Sequence, residues 1–291
     1  MKTRYSFGGD EHIFVEVDEE MSLNAFFKSL AMTKAVRESQ IKGVTEVCPA
    51  NASMQVKFDP DLIKPDDMLA QLKRLEETAE HADPVLNTRI IKIPVYFNDP
   101  WTYETLMRFR ERHQDPNSTD LEYAARINNF ESVDDFLKAF TGSPWFVSMV
   151  GFVAALPFMY QLVDRPHQIE VPKYLRPRTD TPRLTVGYGG CFGCIYSVRG
   201  AGGYQMFGIT PMPIYDPKQE ISYLREFMAF FNPGDLVYFE PIGREGYDQA
   251  VADVDAGKFE PLIREVTFSL KDFEADIDGT NKQLVGALNG N

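Results

Sequence analysis

Between Trp145 and Pro241 the chain never sustains one pattern for long. Short apolar runs (LTVGYGG, CIYSV, YQMFGITP, PIYD, LVYFEPI) alternate with glycine and proline. Glycine and proline interrupt helices and strands alike, so this region is confined to many short elements. Short strands at this spacing predict a β-barrel or β-sandwich. Trp145 to Val163 (WFVSMVGFVAALPFMYQLV) carries no charge and has the length of a bilayer span. Pro157 in its interior, Gln161 and the strand-forming residues at its start predict a buried strand and loop instead. Ile221–Phe231 reads as a short helix inserted among the strands.

The flanks carry longer periods. His12 to Val17 alternates as a half-buried strand, and Leu23, Phe26, Phe27, Leu30 and Ala31 recur at helical spacing. Thr45–Cys48 and Met54–Phe58 read as strands joined by a turn, and Lys64–Glu80 as a helix with Leu69, Leu72 and Leu75 inward. The order strand, helix, strand, strand, helix predicts an open sheet with two helices on one face. Ile90–Phe97 is a further strand, followed by a polar helical stretch from Asp99 to Gly142. The fold class expected is therefore α+β: a small α/β domain over residues 1–88, then a β-barrel domain over 89–250 with a helical insert at 99–142. The acidic, weakly patterned residues 251–291 form a tail that packs as an arm or frays.

A length of 291 residues is enough for two domains, each with its own core. A formal charge of -13 argues against nucleic acid or an anionic membrane as the main partner. Three cysteines, one necessarily unpaired, indicate a reducing compartment. The N-terminal MKTRYSFGGDEHIF lacks the apolar stretch of a signal peptide. Together these predict a cytoplasmic protein.

The segment GGCFGCIYSVRGAGGYQMFGITP (189–211) invites several chemical readings. A P-loop requires Gly-Lys followed by Ser or Thr, which is missing, and no Gly-x-Gly-x-x-Gly leads into a helix. Cys191 and Cys194 have the spacing of a zinc knuckle, but two further ligands are lacking, because Cys48 is distant and no pair among His12, His81, His113 and His167 has ligand spacing. A redox pair would precede a helix, whereas this one precedes strand-like CIYSV. No metal is expected, and the two cysteines read as small core residues. Gly202-Gly203 permits positive φ and close approach of a backbone or ligand. Beside it, Tyr204 offers a flat ring and Gln205 both a donor and an acceptor. An ordinary hairpin with Gln205 on its surface fits the same composition.

Upstream, KYLRPRTDT (173–181) brings Lys173, Arg176 and Arg178 together in an acidic chain, with Tyr174 between them and Pro172, Pro177 and Pro182 stiffening the segment. Arginine holds a carboxylate through two parallel hydrogen bonds. A solvated basic loop is the competing reading. His167 lies just before this arm.

The order KYLRPRTDTP, VGYGG, IYSVRGAGGYQMFGITP and PIYDP resembles allophanate hydrolase subunit 1. That family includes the first half of the urea carboxylase carboxyltransferase domain, the B-type subunit of bacterial 5-oxoprolinase, and the kinase-inhibitor protein KipI. GGDEHIFVEVDEEMSLNAFF resembles its opening segment and FFNPGDLVYFEPIGREGYD its closing one. The helical insert and VDRPHQIEVPKYLRPRTDTP are most similar to the urea carboxylase branch. GFVAALPF departs from the Gly-Phe-x-Pro-Gly-Phe of the other branch.

The resemblance implies a cyclophilin-like barrel after the α/β domain. It also implies one subunit of a biotin-dependent carboxyltransferase acting on a urea-like acceptor. Alternatives are the B-type subunit of an ATP-dependent 5-oxoprolinase and a KipI-like regulator of a histidine kinase. The implied partners are a subunit 2-type chain, a biotin carboxylase and a biotin carrier, with carboxybiotin on a separate chain and ATP used at a partner. Lys34, in Ala-Met-Thr-Lys, falls on an amphipathic helix rather than a biotin-bearing hairpin tip. The candidate catalytic residues are Arg178, Lys173 and Gln205 as donors to developing negative charge, with His167 as proton relay. Tyr174, Thr179, Gly202, Gly203 and Tyr204 are the candidate substrate-binding residues.

Overall fold

The computed structural model describes residues 2–20, 22–79 and 84–290. Glu80, the end of the expected second helix, and His81 lie outside the described residues. The chain divides into two compact units, Met1–Leu86 with Ser269–Lys271, and Asn87–Phe268 with Asp272–Asn291.

In the first unit the elements run β1 (Arg4–Gly8), β2 (His12–Glu16), α1 (Leu23–Ser39), β3 (Val44–Ala50), β4 (Ser53–Phe58) and α2 (Pro65–Ala79). The sheet order is β1-β2-β4-β3, with the neighbouring strands antiparallel. The period-2 pattern acts as expected, since Ile13, Val15, Met54 and Val56 are buried against residues of the two helices. Ser22 caps α1, its hydroxyl accepting from the Ala25 amide at 3.2 Å. The inward face of α1 runs through Ala25, Ser29, Met32 and Val36. Of the expected stripe Phe26 and Phe27 are buried, whereas Leu23, Leu30 and Ala31 are only half-buried, so the helix is rotated from the stripe its leucines suggest. β1 has no signal in the alternation, because four of its five residues are exposed.

The second unit begins its main sheet with β5 (Val85–Phe97), followed by the helical insert α3 (Pro100–Phe109), α4 (Asp120–Ile127) and α5 (Val133–Thr141). Next come β6 (Trp145–Val150), β7 (Pro157–Gln161), β8 (Arg178–Thr181), β9 (Thr185–Gly189), β10 (Phe192–Ile195), β11 (Gly200–Gly202), β12 (Gln205–Ile209) and β13 (Leu236–Pro241). The residues from 244 onward add α6 (Arg244–Asp255), β14 (Leu262–Ser269), α7 (Leu270–Ala275) and α8 (Ile277–Leu288). The main sheet has the order β12-β9-β10-β7-β6-β13-β5-β14, and β12 also pairs with β5, which closes the barrel. At the closure Gly208 lies opposite Phe97. A Cβ there would stand 2.6 Å from the Tyr96 carbonyl oxygen, so the closing strands approach more tightly than any side chain permits. Val95, Phe97, Val186, Tyr188, Phe207 and Phe239 belong to the main core of this unit. Helix α5 adds Phe136 and Phe140 to that core, and the Trp145 indole donates to the Phe140 carbonyl at 3.1 Å.

The charge-free stretch from Trp145 forms the β6–β7 hairpin, paired from Trp145↔Gln161 to Val150↔Pro157. No helix among the described residues is long and apolar enough to cross a membrane. One region differs from expectation: within 221–231 only Ser222–Leu224 is helical, as one 3₁₀ turn, because Phe230 and Phe231 enter the core while Phe227 stays exposed. The acidic C-terminal region, expected to pack as an arm or to fray, is ordered into α6, β14, α7 and α8. A few anchors, Phe268, Phe273, Leu284 and Leu288, hold it through their buried side chains. So sparse a set leaves little periodicity to read.

Candidate functional site

The arm and the glycine ledge meet. β8 and β11 form a two-stranded ribbon in which Gly202 is the cross-strand partner of Arg178. The Tyr174 amide donates to the Gly203 carbonyl at 2.7 Å, so the proline-stiffened segment lies along the ledge rather than in solvent. Neither Gly202 nor Gly203 has positive φ, which corrects the conformational reason given for them. Gly202 is required by packing instead: a Cβ there would stand 2.5 Å from the Tyr196 hydroxyl.

Arg178 is completely buried. Its guanidinium stacks over the Tyr174 ring at 4.3 Å, and its Nε donates to the Thr181 hydroxyl at 3.3 Å. Both terminal nitrogens lack a hydrogen-bond partner. The guanidinium's influence reaches the Tyr174 and Tyr196 phenols, whose pKa values burial pushes up and Arg178 pulls back. Buried donors without acceptors are rare because each forfeits its hydration. Asp120, also buried, is the acid that feels the Arg178 charge. Burial pushes its carboxyl up, and the Tyr174 hydroxyl, the Arg178 charge and the Met206 amide pull it back. It accepts from the Tyr174 hydroxyl and the Met206 amide, each at 2.6 Å.

Gln205 is braced on every side. Nδ1 of buried His113 lies 2.9 Å from the Asp115 amide and 2.8 Å from the Asp115 carbonyl, and its Nε2 faces the Gln205 side-chain oxygen, an acceptor only. That nitrogen donates to Gln205 Oε1 at 2.9 Å. The Gln205 amide nitrogen then donates to the Pro172 carbonyl at 2.8 Å and to Gln114 Oε1 at 3.2 Å. Gln114 in turn donates to the Lys173 carbonyl, and Arg112 donates to the Pro177 carbonyl at 2.7 Å. The helical insert therefore fastens both ends of the arm.

Lys173 is exposed, with its ammonium 5.2 Å above the Tyr204 ring. Tyr204 is buried rather than an open platform, its ring edge-on to Phe158. Thr179 is exposed on β8. Arg178, Gln205, Tyr174, Gly202, Gly203, Tyr204 and Lys173 thus form one neighbourhood.

His167 does not join it. A 3₁₀ turn at Arg165–His167 exposes the ring, which bonds Asp164. It lines a separate cavity of about 900 Å³ with Asn281 and Lys282, which holds none of the other candidates. A place beside the arm in sequence gave it no place in the site. His113, Gln114, Asp120 and Tyr196 do belong to the neighbourhood and carry no motif. Asp120 opens α4 behind the capping box of Thr119 and Glu122, a position that already explains an acid there. Cys194 is buried on β10 and Cys191 half-buried before it. Burial pushes both thiols up, which favours the packing role over a thiolate one.

Comparison with known proteins gives this arrangement its context. The urea amidolyase of Lachancea kluyveri is 27% identical over 279 residues, covering 94% of this chain and 15% of that protein. The B-type subunit of Bacillus subtilis 5-oxoprolinase is 26% identical over 250 residues, covering 82% of this chain and 92% of its own length. The crystal structure of Kluyveromyces lactis urea carboxylase superposes with a TM-score of 0.85 at 26% identity, over 99% of this chain and 26% of that one. The chain thus spans only a small part of the urea amidolyase it matches. Residues 3–224 match the family described as carboxyltransferase domain, subdomain C and D, and the chain belongs to that family.

Proposed function

We propose that this chain is the first half of the carboxyltransferase component of a biotin-dependent carboxylase, moving a carboxyl group onto a nitrogen of a small urea-like acceptor. The observation that carries this reading is Arg178, a fully buried guanidinium with two unpartnered donor nitrogens beside a glycine ledge. Carboxylate and ureido oxygens are the acceptors such a fork fits. Biotin, carboxylated on another chain, supplies the activated carboxyl group.

In this reading Arg178 meets negative charge developing on the carboxylate or ureido oxygen, and Lys173 adds a second cation at the rim. Tyr174 holds the guanidinium in place from below. Gln205 serves by position: its amide is fully engaged, and it fixes the Pro172–Lys173 backbone from which the donors project. Because Arg178 is covered, loading requires the segment from Lys173 to Pro177 to lift from Gly203. Thr179, Tyr204 and the Gly202-Gly203 ledge then border the acceptor. A subunit 2-type chain, a biotin carboxylase and a biotin carrier complete the enzyme, with ATP consumed at the carboxylase.

A second reading is supported by the Bacillus subtilis 5-oxoprolinase chain, which matches along nearly its whole length. It makes this chain one subunit of an ATP-dependent amidohydrolase. The native complex separates the two. Copurified from its source, it is expected to contain a biotinylated chain and to fix labelled bicarbonate onto urea or a substituted urea with ATP. A complex without biotin that hydrolyses 5-oxoproline with ATP would overturn the carboxylase reading.

A further inference from the structure

A groove of about 630 Å³ opens between α3 and α6 on one side and the β8–β9 turn on the other, within the size range of small-molecule sites. Its helical wall is aromatic and carries the acids Glu104 and Asp255, together with Arg108, which reaches across to Asp180 on β8. Trp101 and Tyr247 lie with ring centroids 5.1 Å apart, and Glu104 stands on α3 one turn after Trp101. Its other wall is basic, with Arg183 and Arg199. Arg199 holds Asp180 through two bonds of 2.6 and 2.8 Å, and Arg108 shares the same carboxylate at 3.0 Å. Two guanidiniums on one carboxylate leave a net positive charge. Arg183 is exposed and makes no hydrogen bond or ion pair among the described residues. Its charge nevertheless reaches the aromatic wall: burial and the Asp99 and Asp248 charges push the Tyr247 phenol up, while Arg244 and Arg183 pull it back.

From these opposed walls we infer that the groove binds a small zwitterion, with a planar nitrogen cation against Trp101, Tyr247 and Glu104 and a carboxylate against Arg183 and Arg199. Aromatic faces attract planar cations. Arg244 already places a guanidinium 5.1 Å from the Trp101 ring, so this indole suits that chemistry. A free guanidinium such as Arg183 recognises a carboxylate with both charge and geometry. A ligand with only one of the two charges leaves the opposite wall unmatched, and such a mismatch sets specificity. The inference concerns binding by this chain alone and stands apart from the transfer reaction.

The test uses tryptophan emission from the full chain. Of its two tryptophans, Trp145 is wholly buried and Trp101 only half-buried, so added ligand acts on Trp101. Guanidinoacetate, methylguanidine and acetate are titrated separately at constant ionic strength. Guanidinoacetate is expected to change the emission saturably, at a concentration at least tenfold below either half-molecule. Arg183→Gln should erase its advantage over methylguanidine, and Glu104→Gln its advantage over acetate. Both positions are exposed, so folding is preserved, and Trp101→Phe should remove the signal. Equal response to all three probes, or no loss in the two charge variants, would overturn the inference. So would emission that changes only with protein concentration, in step with dimer formation in sedimentation, because a second copy would then cover the groove.

Discussion

Asp180 lies between two arginines, and its titration reports how firmly the β8 ribbon is held. The hydrogen bond from Arg199 is the largest influence, and with the Arg108 bond and the two arginine charges it outweighs burial and places the pKa at about 2. An unfolded aspartate titrates near about 3.9. The folded value is the lower one, so the pair adds stability above pH of about 3.9 and loses it as pH falls toward 2. In Arg199→Gln the Asp180 midpoint should rise toward the unfolded value, read by carboxyl-carbon NMR titration. An unchanged midpoint would show that Arg108 alone holds it. Arg178 and Asp120 follow a different logic. Both are buried, and the Arg178 charge counters only part of the burial that pushes the Asp120 carboxyl up. None of this was legible in KYLRPRTDT. The segment reads equally well as a solvated basic loop, and the partners that bury Arg178 come from well upstream, at Asp120, and from Tyr196 downstream.

Closure of the barrel rests on β12 against β5, and there the limiting residue is Gly208. A Cβ there would meet backbone first, the Tyr96 oxygen at 2.6 Å and the Phe97 Cα at 2.9 Å, and then Val95 Cγ1 at 3.0 Å. Gly208→Ala should therefore cost about 1–3 kcal/mol through overpacking. For a domain of this size each kcal/mol lowers the melting temperature by about 2–4 °C. A melting temperature equal to wild type would mean that the seam opens without penalty. The strands of this barrel were readable as short apolar runs because glycine and proline punctuate them. β1 and β14 were not, since each has few buried residues; β1 is a strand through its hairpin with β2, and β14 through β5, distant in sequence. The insert was readable as a polar helical stretch, and the structure shows Asp99, Thr119 and Ser132 capping its helices. Its role in fastening the arm was not, because His113 and Gln114 contact the arm and Gln205 only in three dimensions.

At the scale of the whole molecule, the family match covers residues 3–224 and so includes the arm, the ledge and the insert that ties them. Relatives of this chain occur both as a small part of a urea amidolyase and as a 5-oxoprolinase subunit matched along nearly its full length. What separates these roles at the site is how Arg178 and Lys173 act when a carboxyl group is presented. The decisive measurement is transfer of label from ¹⁴C-carboxybiotin to urea in the reconstituted complex, comparing wild type with Arg178→Gln and Lys173→Ala. Thermal unfolding verifies that each variant is folded, and exposed Lys173 keeps the comparison open if the buried position does not tolerate change. Loss of a donor to developing negative charge typically slows reaction by about 100- to 1,000-fold. A drop of that order in folded Arg178→Gln, with a smaller loss in Lys173→Ala, is the predicted result. Wild-type transfer by both folded variants would contradict it.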